Sequence, residues 1–527
     1  MMDSSTLQQL MRPGAFSHPC GGAILRETHI SWVILCGEFA YKIKKPVNFG
    51  FLDFSTLELR RHFCEQELAL NRRFAPELYL AVVDVTDDES GPRFEGQGPV
   101  IDHAVKMRRF DETLLLDNVA SRGELDRSLV RQLAREIARQ QAGAKVCQPE
   151  PGSDEPGSPA VLLAAIGQNF RQVRDYNLAP GQLEQLQAIE QWSLRRYTEL
   201  SPLLQRRAAD GMVIDGHGDA HLGNIALIDG AVRLFDCIEF NPSLRIMDSI
   251  GEIAFLAMDL QARGHCGEAH CLLADYLEYR GDYAGLALLN LYRCYFAMVR
   301  AKVALLREPS QHPAIRDTPA YTDFSRYLAL AGSYCRQPAT FLAITHGVSG
   351  SGKSTVADKL VAAGGAVRIR SDVERKRLFG LAPEQRSNPA DEKRLYGGAM
   401  SRRTFDRLEQ LAQLALAAGF AVIVDATFLH RSSRDRFHLL AARLGLPFAI
   451  IDCSAPPEQL RQRLTTRERD QRDASEAGVR VMENQLKVDQ APAGAELLYT
   501  VLADSAEDQD TLWRRLQQNT PPSSATA

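Results

Sequence analysis

The stretch GVSGSGKS (347–354), set between the apolar run FLAIT (341–345) and a segment with helical spacing of Val356, Leu360 and Val361, decides the second half of the chain. It fits the pattern G-x-x-x-x-G-K-[ST]. Glycines Gly347, Gly350 and Gly352 let backbone N–H groups curl towards phosphate oxygens, with Val348, Ser349, Ser351 and Thr355 completing the turn and the helix start. The N-terminus of the following helix adds partial positive charge at the same point. Lys353 is placed to reach the β- and γ-phosphates, and the Ser354 hydroxyl to ligate Mg²⁺. A glycine-rich turn arising by chance would lack these strand and helix flanks.

Three further segments surround the loop. VRIRSDVERKRL (367–378) puts Asp372 at the end of a second strand, with Arg375 one turn into a helix. AVIVDATF (421–428) reads as a buried strand ending in Asp425, either a carboxylate near the metal or a group that positions water. LRQRLTTRERDQRD (460–473) is an arginine-dense helix, readable as a solvated face or as a lid whose Arg463 and Arg467 close on a transferring phosphate.

Together these residues resemble the small P-loop kinases that include gluconate and shikimate kinases, polynucleotide kinases and zeta-type toxins, over 341 to about 486. The resemblance implies that Asp372 contacts or deprotonates an acceptor hydroxyl, that Arg375 holds substrate, and that Arg463 and Arg467 serve the lid. From its position alone Asp372 is also readable as a helix N-cap.

Working back from there, HGDAHLGN (217–224) has the spacing of the kinase catalytic loop H-R-D-x-x-x-x-N, with Gly218 in the arginine position. Asp219 is then the acceptor of the substrate hydroxyl proton and Asn224 a Mg²⁺ ligand. Twelve residues on, the strand VRLF delivers Asp236 as second metal ligand. His217 and Asp248 read as structural, His217 bonding backbone near Asp236 and Asp248 bracing the loop.

The pattern HGDxHxGN…LFDxIEFNP…D resembles the aminoglycoside phosphotransferase-like branch of the kinase-related fold, over roughly 20–330. In particular it resembles the uncharacterised bacterial branch fused to a P-loop kinase. That implies two lobes with ATP between them. Lys42 in FAYKIKK would hold the α- and β-phosphates, with Lys44 the same-face alternative. Glu67, rather than Glu65, would be its carboxylate partner, and Met107 would mark the hinge beside adenine. An exposed edge strand with solvated lysines is the other reading of Lys42 and Lys44. No G-x-G-x-x-G clamp precedes the lysine strand; only Gly37 stands near the turn.

The expected fold class is an α+β two-lobed protein-kinase-like domain (1–335) followed by an α/β P-loop NTPase domain with a mainly parallel sheet (336–515) and a disordered tail (516–527). REPSQHPAIRDTPAYT (307–322) reads as a linker or wrapped connection. Composition agrees with a globular chain: among 527 residues, 45% are hydrophobic and 24% charged. The net charge of −4 provides no global field for nucleic acid or acidic membranes. Ten cysteines without a C-x-x-C pair argue against a disulfide scaffold or zinc ribbon. His265, Cys266, His270 and Cys271 cluster in sequence, but on a helix only Cys266 and His270 stand one turn apart. No signal-peptide pattern or spanning apolar stretch is present, so a cytoplasmic setting without membrane partners is expected.

The expected activity is transfer of the γ-phosphoryl group of Mg-ATP to a hydroxyl of a small molecule, in each half. ATP and Mg²⁺ are the expected cofactors, while acceptor identities and protein partners stay open. Two other readings stay open: a kinase-like half that only senses nucleotide and controls the other, and a nucleic-acid 5′-hydroxyl kinase with salt-sensitive oligonucleotide binding.

Overall fold

The computed structural model describes residues 4–50, 52–336, 339–388, 390–470 and 474–520. The chain forms two compact units, one of residues 1–126, 139–168 and 201–259, the other of 127–138, 169–200 and 260–527.

The first unit is built on a six-stranded antiparallel sheet. Its strands are β1 (Ile24–Glu27), β2 (Ser31–Cys36), β3 (Phe39–Lys44), β4 (Tyr79–Asp88), β5 (Gly91–Phe94) and β6 (Val100–Arg108), in the order β1-β2-β3-β6-β4-β5. β3 is therefore interior, paired with β2 and β6, and not the exposed edge that the lysines alone would allow. Period-two alternation sorts its residues: Tyr41 and Ile43 enter a core with Ile34, Val85 and Phe94, while Ala40, Lys42 and Lys44 face the other way. On that second side lies the helix Leu57–Asn71, its N-terminus capped by the Thr56 hydroxyl accepting from the Leu59 N–H. Cys64 of this helix packs in a second core with Tyr79 and Val105. Cys20 and Cys36 are joined, and the other eight cysteines are free.

The rest of this unit frames one loop. β7 (Val213–Asp215) leads into it. β8 (Ile225–Ile228) and β9 (Ala231–Leu234) leave it as a hairpin, and β10 (Ile246–Asp248) returns to pair with β7. The hairpin turn, Asp229-Gly230, has φ of 50° and 77°, the two positive values a two-residue I′ turn requires.

The second unit holds a five-stranded sheet of β11 (Leu342–His346), β12 (Val367–Arg370), β13 (Val422–Asp425), β14 (Phe448–Cys453) and β15 (Thr500–Ala503). Its order is β12-β13-β11-β14-β15 and every pairing is parallel. Apolar strands such as LAITH and VIVD are buried along their length, as a doubly covered parallel sheet demands. The helices Cys266–Arg280, Leu286–Leu305 and Pro319–Tyr334 belong to the same unit. An ionic network centred on buried Arg368 ties the first of them to the sheet: Arg368, 1% exposed, contacts Glu278 and lies 2.8 Å from Asp358, while Arg127 donates to Asp275 at 2.8 Å.

Two expectations change. The segment read as a linker at 307–322 already contains the start of helix Pro319–Tyr334: Thr318 caps it by accepting from the Tyr321 N–H and Pro319 fills the first turn. The tail boundary at 516 falls inside the helix Gln509–Asn519, where Leu516 is 1% exposed in the core. Residues 521–527 lie outside the described residues, as do 471–473 of the arginine-rich segment.

Candidate active sites

In the first unit the face of β3 opposite its core looks into a cavity of about 490 Å³. Ile30, Val33, Leu35, Ala40, Leu78 and Met107 give it an apolar slot, and Lys42, Asp219, Asp236 and Glu239 its polar end. The β1–β2 turn contributes Thr28 and Ile30. Gly37 is in the β2–β3 turn instead and does not line this cavity.

Lys42 and Lys44, two residues apart on one face, share one carboxylate. Glu67, fully buried, lies 2.8 Å from Lys42 and 2.7 Å from Lys44. Burial alone would raise the Glu67 pKa, but the two ammonium groups outweigh it and pull it down to about 2. Beyond Glu67 the lysines diverge, Lys42 bonding Asp236 and Lys44 bonding Glu239. Lys42 lines the cavity and Lys44 does not. Glu65 pairs on the surface with Arg61 at 3.0 Å. Glu239 stands within the IEFN run without a role in the sequence reading; its apolar neighbours disguised a buried carboxylate.

The loop between β7 and β8 holds the rest. Asn224 Nδ2 donates to Asp219 Oδ2 at 2.9 Å and to the Asp219 carbonyl at 3.1 Å. His217 is buried, its Nε2 2.9 Å from the Phe235 carbonyl, and burial pushes its pKa down to about 4, so it is neutral at pH 7. Gly218 has φ of +83°, and a Cβ there would come within 2.8 Å of the Leu244 carbonyl. No arginine fits in this position. Asp236 also has positive φ, 62°, held by its N–H donating to Tyr79 Oη at 3.0 Å. Asp248 is buried away from the cavity on Arg207, with both bonds 2.7 Å.

In the second unit β11 runs into the glycine loop and the helix Lys353–Gly364, beside a cavity of about 550 Å³. Gly347, Gly350 and Gly352 all have positive φ, and a Cβ on Gly347 would sit 2.2 Å from the Cys453 carbonyl. Lys353 is nearly buried, donating to the Val348 carbonyl at 2.7 Å; burial lowers its pKa and Asp425 opposes the shift. The Ser354 hydroxyl lies near enough to Asp425 to favour its charged form. Burial raises its pKa, with Arg370, Arg368 and Lys353 acting against the shift. Its Oδ2 is buried without a hydrogen-bond partner. A buried, unbonded carboxylate oxygen beside a phosphate-loop hydroxyl is a donor set that fits Mg²⁺.

Asp372, Arg375, Arg463 and Arg467 line the same cavity. Asp372 is not the N-cap of helix Ser371–Phe379; that position is Arg370, without a side-chain cap. Arg375 donates to the Leu395 carbonyl at 3.3 Å and Ser401 Oγ at 3.2 Å, with Tyr396 stacked at 5.4 Å. Arg463 and Arg467, one turn apart on helix Pro457–Asp470, face inward, whereas Arg461 and Arg469 are exposed. Arg370 and Gln485 are among the lining residues that lay outside the sequence reading. Arg370 is in contact with Asp425 at 3.9 Å, signalled by the alternation in VRIRSD. Gln485 accepts from the Ser349 N–H at 2.7 Å, and nothing local in the sequence marks it.

The Cys266–His270 pair lies in helix Cys266–Arg280, and among the described residues no cluster of three or more ligand-type side chains is placed to hold a metal by itself. No helix among the described residues is long and apolar enough to cross a membrane.

Residues 342–492 match a family model described as an AAA domain. The uncharacterized protein Rv2004c of Mycobacterium tuberculosis is 30% identical over 453 residues, covering 86% of this chain and 87% of its own. Among solved structures, a choline/ethanolamine kinase family protein from Mesorhizobium loti aligns with 63% of this chain and 99% of its own, at 13% identity and TM-score 0.36. A gluconokinase from Sinorhizobium meliloti 1021 aligns with 35% of this chain and 92% of its own, at 23% identity and TM-score 0.23. The chain thus joins an α+β unit built on a six-stranded antiparallel sheet to an α/β unit built on a parallel sheet with a G-x-x-x-x-G-K-[ST] loop.

Proposed function

Because the chain belongs to the same family as Rv2004c, with both halves of that protein represented, we propose that each half, 1–335 and 336–515, is an ATP-dependent phosphotransferase acting on a small-molecule hydroxyl. The observation that carries the reading is the recurrence of one arrangement in two unlike cavities: a nearly buried lysine facing a carboxylate suited to a metal, Lys42 with Asp236 and Lys353 with Asp425.

In the first site Glu67 aims Lys42 at the α- and β-phosphates, and Lys44 with Glu239 holds Glu67 in place. Adenine takes the apolar slot beside Met107. Asn224 Nδ2 is committed to Asp219, which leaves its Oδ1, with Asp236, to hold a cation. Asp219 accepts the proton as the acceptor oxygen bonds to the γ-phosphorus and the bond to the departing ADP oxygen breaks. In the second site the loop N–H groups and Lys353 hold the β- and γ-phosphates, Ser354 and Asp425 hold the cation, and Asp372 takes the acceptor proton. Arg375 binds acceptor, and Arg463 and Arg467 meet charge on the transferring group. Mg²⁺ bound with ATP neutralises charge between the β- and γ-phosphates in either site.

The test is ATP consumption with pooled sugars, polyols, nucleosides and aminoglycosides, products read by mass spectrometry, for wild type, Asp219→Asn and Lys353→Ala. Phosphorylated products that disappear in one variant and persist in the other are expected. Absence of any product or ADP from every pool would overturn the proposal.

A further inference from the structure

Within the second unit lies a separate cavity of about 270 Å³ that shares no residue with the phosphate-loop cleft. Helices Cys266–Arg280, Leu286–Leu305 and Pro319–Tyr334 form one side of it. The other side is the end of the phosphate-loop helix at Gly364 and Gly365 and the beginning of β12 at Val367.

Arg293 faces this space. It is 5% exposed, and its Nε and Nη2 are buried without a hydrogen-bond partner. Among the described residues no aspartate or glutamate lines the cavity. The nearest compensation is the Tyr334 ring, 5.8 Å from the guanidinium carbon, and the Tyr334 hydroxyl is itself spent on Gln261 at 2.6 Å. Burial lowers the Arg293 pKa, yet an arginine does not discharge in a protein, so the charge stays. A buried, unpaired charge is strongly destabilising and is retained where an anion repays it.

The remaining walls set the size and character of that anion. Leu273, Leu277 and Phe420 are apolar, and Arg336 is an exposed second cation among the lining residues. An apolar protein cavity of about 150 Å³ accommodates benzene, so this one has room for such a body plus a charged group. We propose that the cavity binds a small organic anion, its carboxylate or phosphate on Arg293 and its apolar body against Leu273, Leu277 and Phe420. The occupant bridges the helical segment to the far end of the helix that begins at Lys353, about 18 Å from the phosphate loop at ~1.5 Å per residue. Its binding stabilises this unit by ligand linkage. The assignment stands on the cavity and not on the phosphotransfer reading.

The test uses full-length Lys353→Ala protein, whose phosphate loop is disabled, titrated with benzoate, phenyl phosphate and inorganic phosphate by calorimetry and thermal shift. One saturable event with benzoate or phenyl phosphate is expected, at least tenfold weaker when Arg293→Gln is added. Arg336→Gln, at an exposed position where folding is not at stake, should weaken it several-fold. A carboxylate-selective or phosphate-selective response identifies the head group. Three results would overturn the proposal: no saturable binding of either aromatic anion, binding unchanged by both substitutions, or Arg293→Gln melting higher with no anion dependence in its parent.

Discussion

Replacing Glu67 with alanine removes the one carboxylate that both Lys42 and Lys44 contact, at 2.8 and 2.7 Å, from a position with no solvent exposure. Asp236 and Glu239 are left to balance two buried ammonium groups across a new void. Breaking a buried ion pair by deleting one partner costs about 3–5 kcal/mol. With a urea slope of about 2 kcal/mol/M, the unfolding midpoint should fall by about 1.5–2.5 M. Trp32 is the tryptophan of the first unit, so its fluorescence in a Trp192→Phe, Trp513→Phe background reports this unit. The pH dependence has a fixed sign. Glu67 titrates at about 2 when folded against an ordinary 4.5, so its contribution is present above about pH 4.5 and is lost as pH falls towards 2. Glu67→Gln should flatten that acid limb. A midpoint shift below about 0.5 M, or an unchanged acid limb, would refute the assignment of Glu67 as the shared anchor of the lysines.

Asp219→Ala should lower transfer by the first site about 10²–10⁴-fold, the usual worth of a general base, while product formation by the second site persists. Gly218→Ala places a Cβ 2.8 Å from the Leu244 carbonyl at φ +83°; a loss of about 1–3 kcal/mol is expected in denaturant melts. Arg463→Ala or Arg467→Ala should each reduce second-site turnover about 10- to 100-fold, the worth of one charge-assisted hydrogen bond, as measured by ADP release.

The parallel sheet was readable because strand, glycine loop and helix follow one another within a few residues, and the loop's glycines have the positive φ that the pattern requires. The pairing of Asp219 with Asn224 was readable for a similar reason, since the two bond to each other across five positions. The choice between Lys42 and Lys44 was not. Both side chains leave the same face of β3, and only the line of the cavity separates them. Glu239 and Gln485 were missed because their partners, Lys44 and the Ser349 N–H, are remote in sequence. The ionic cluster was missed for the same reason: Arg368, Asp275 and Glu278 are buried together, and the half-buried Asp358 joins them, only once the fold brings remote segments side by side.

The central claim is that one chain carries two independent nucleotide sites. Equilibrium dialysis with a non-hydrolysable ATP analogue and Mg²⁺ tests it most directly, using wild type, Lys42→Met and Lys353→Ala. Two analogues bound per wild-type chain and one per variant are predicted. A single site in wild type, or either substitution abolishing both in a folded chain, would contradict it.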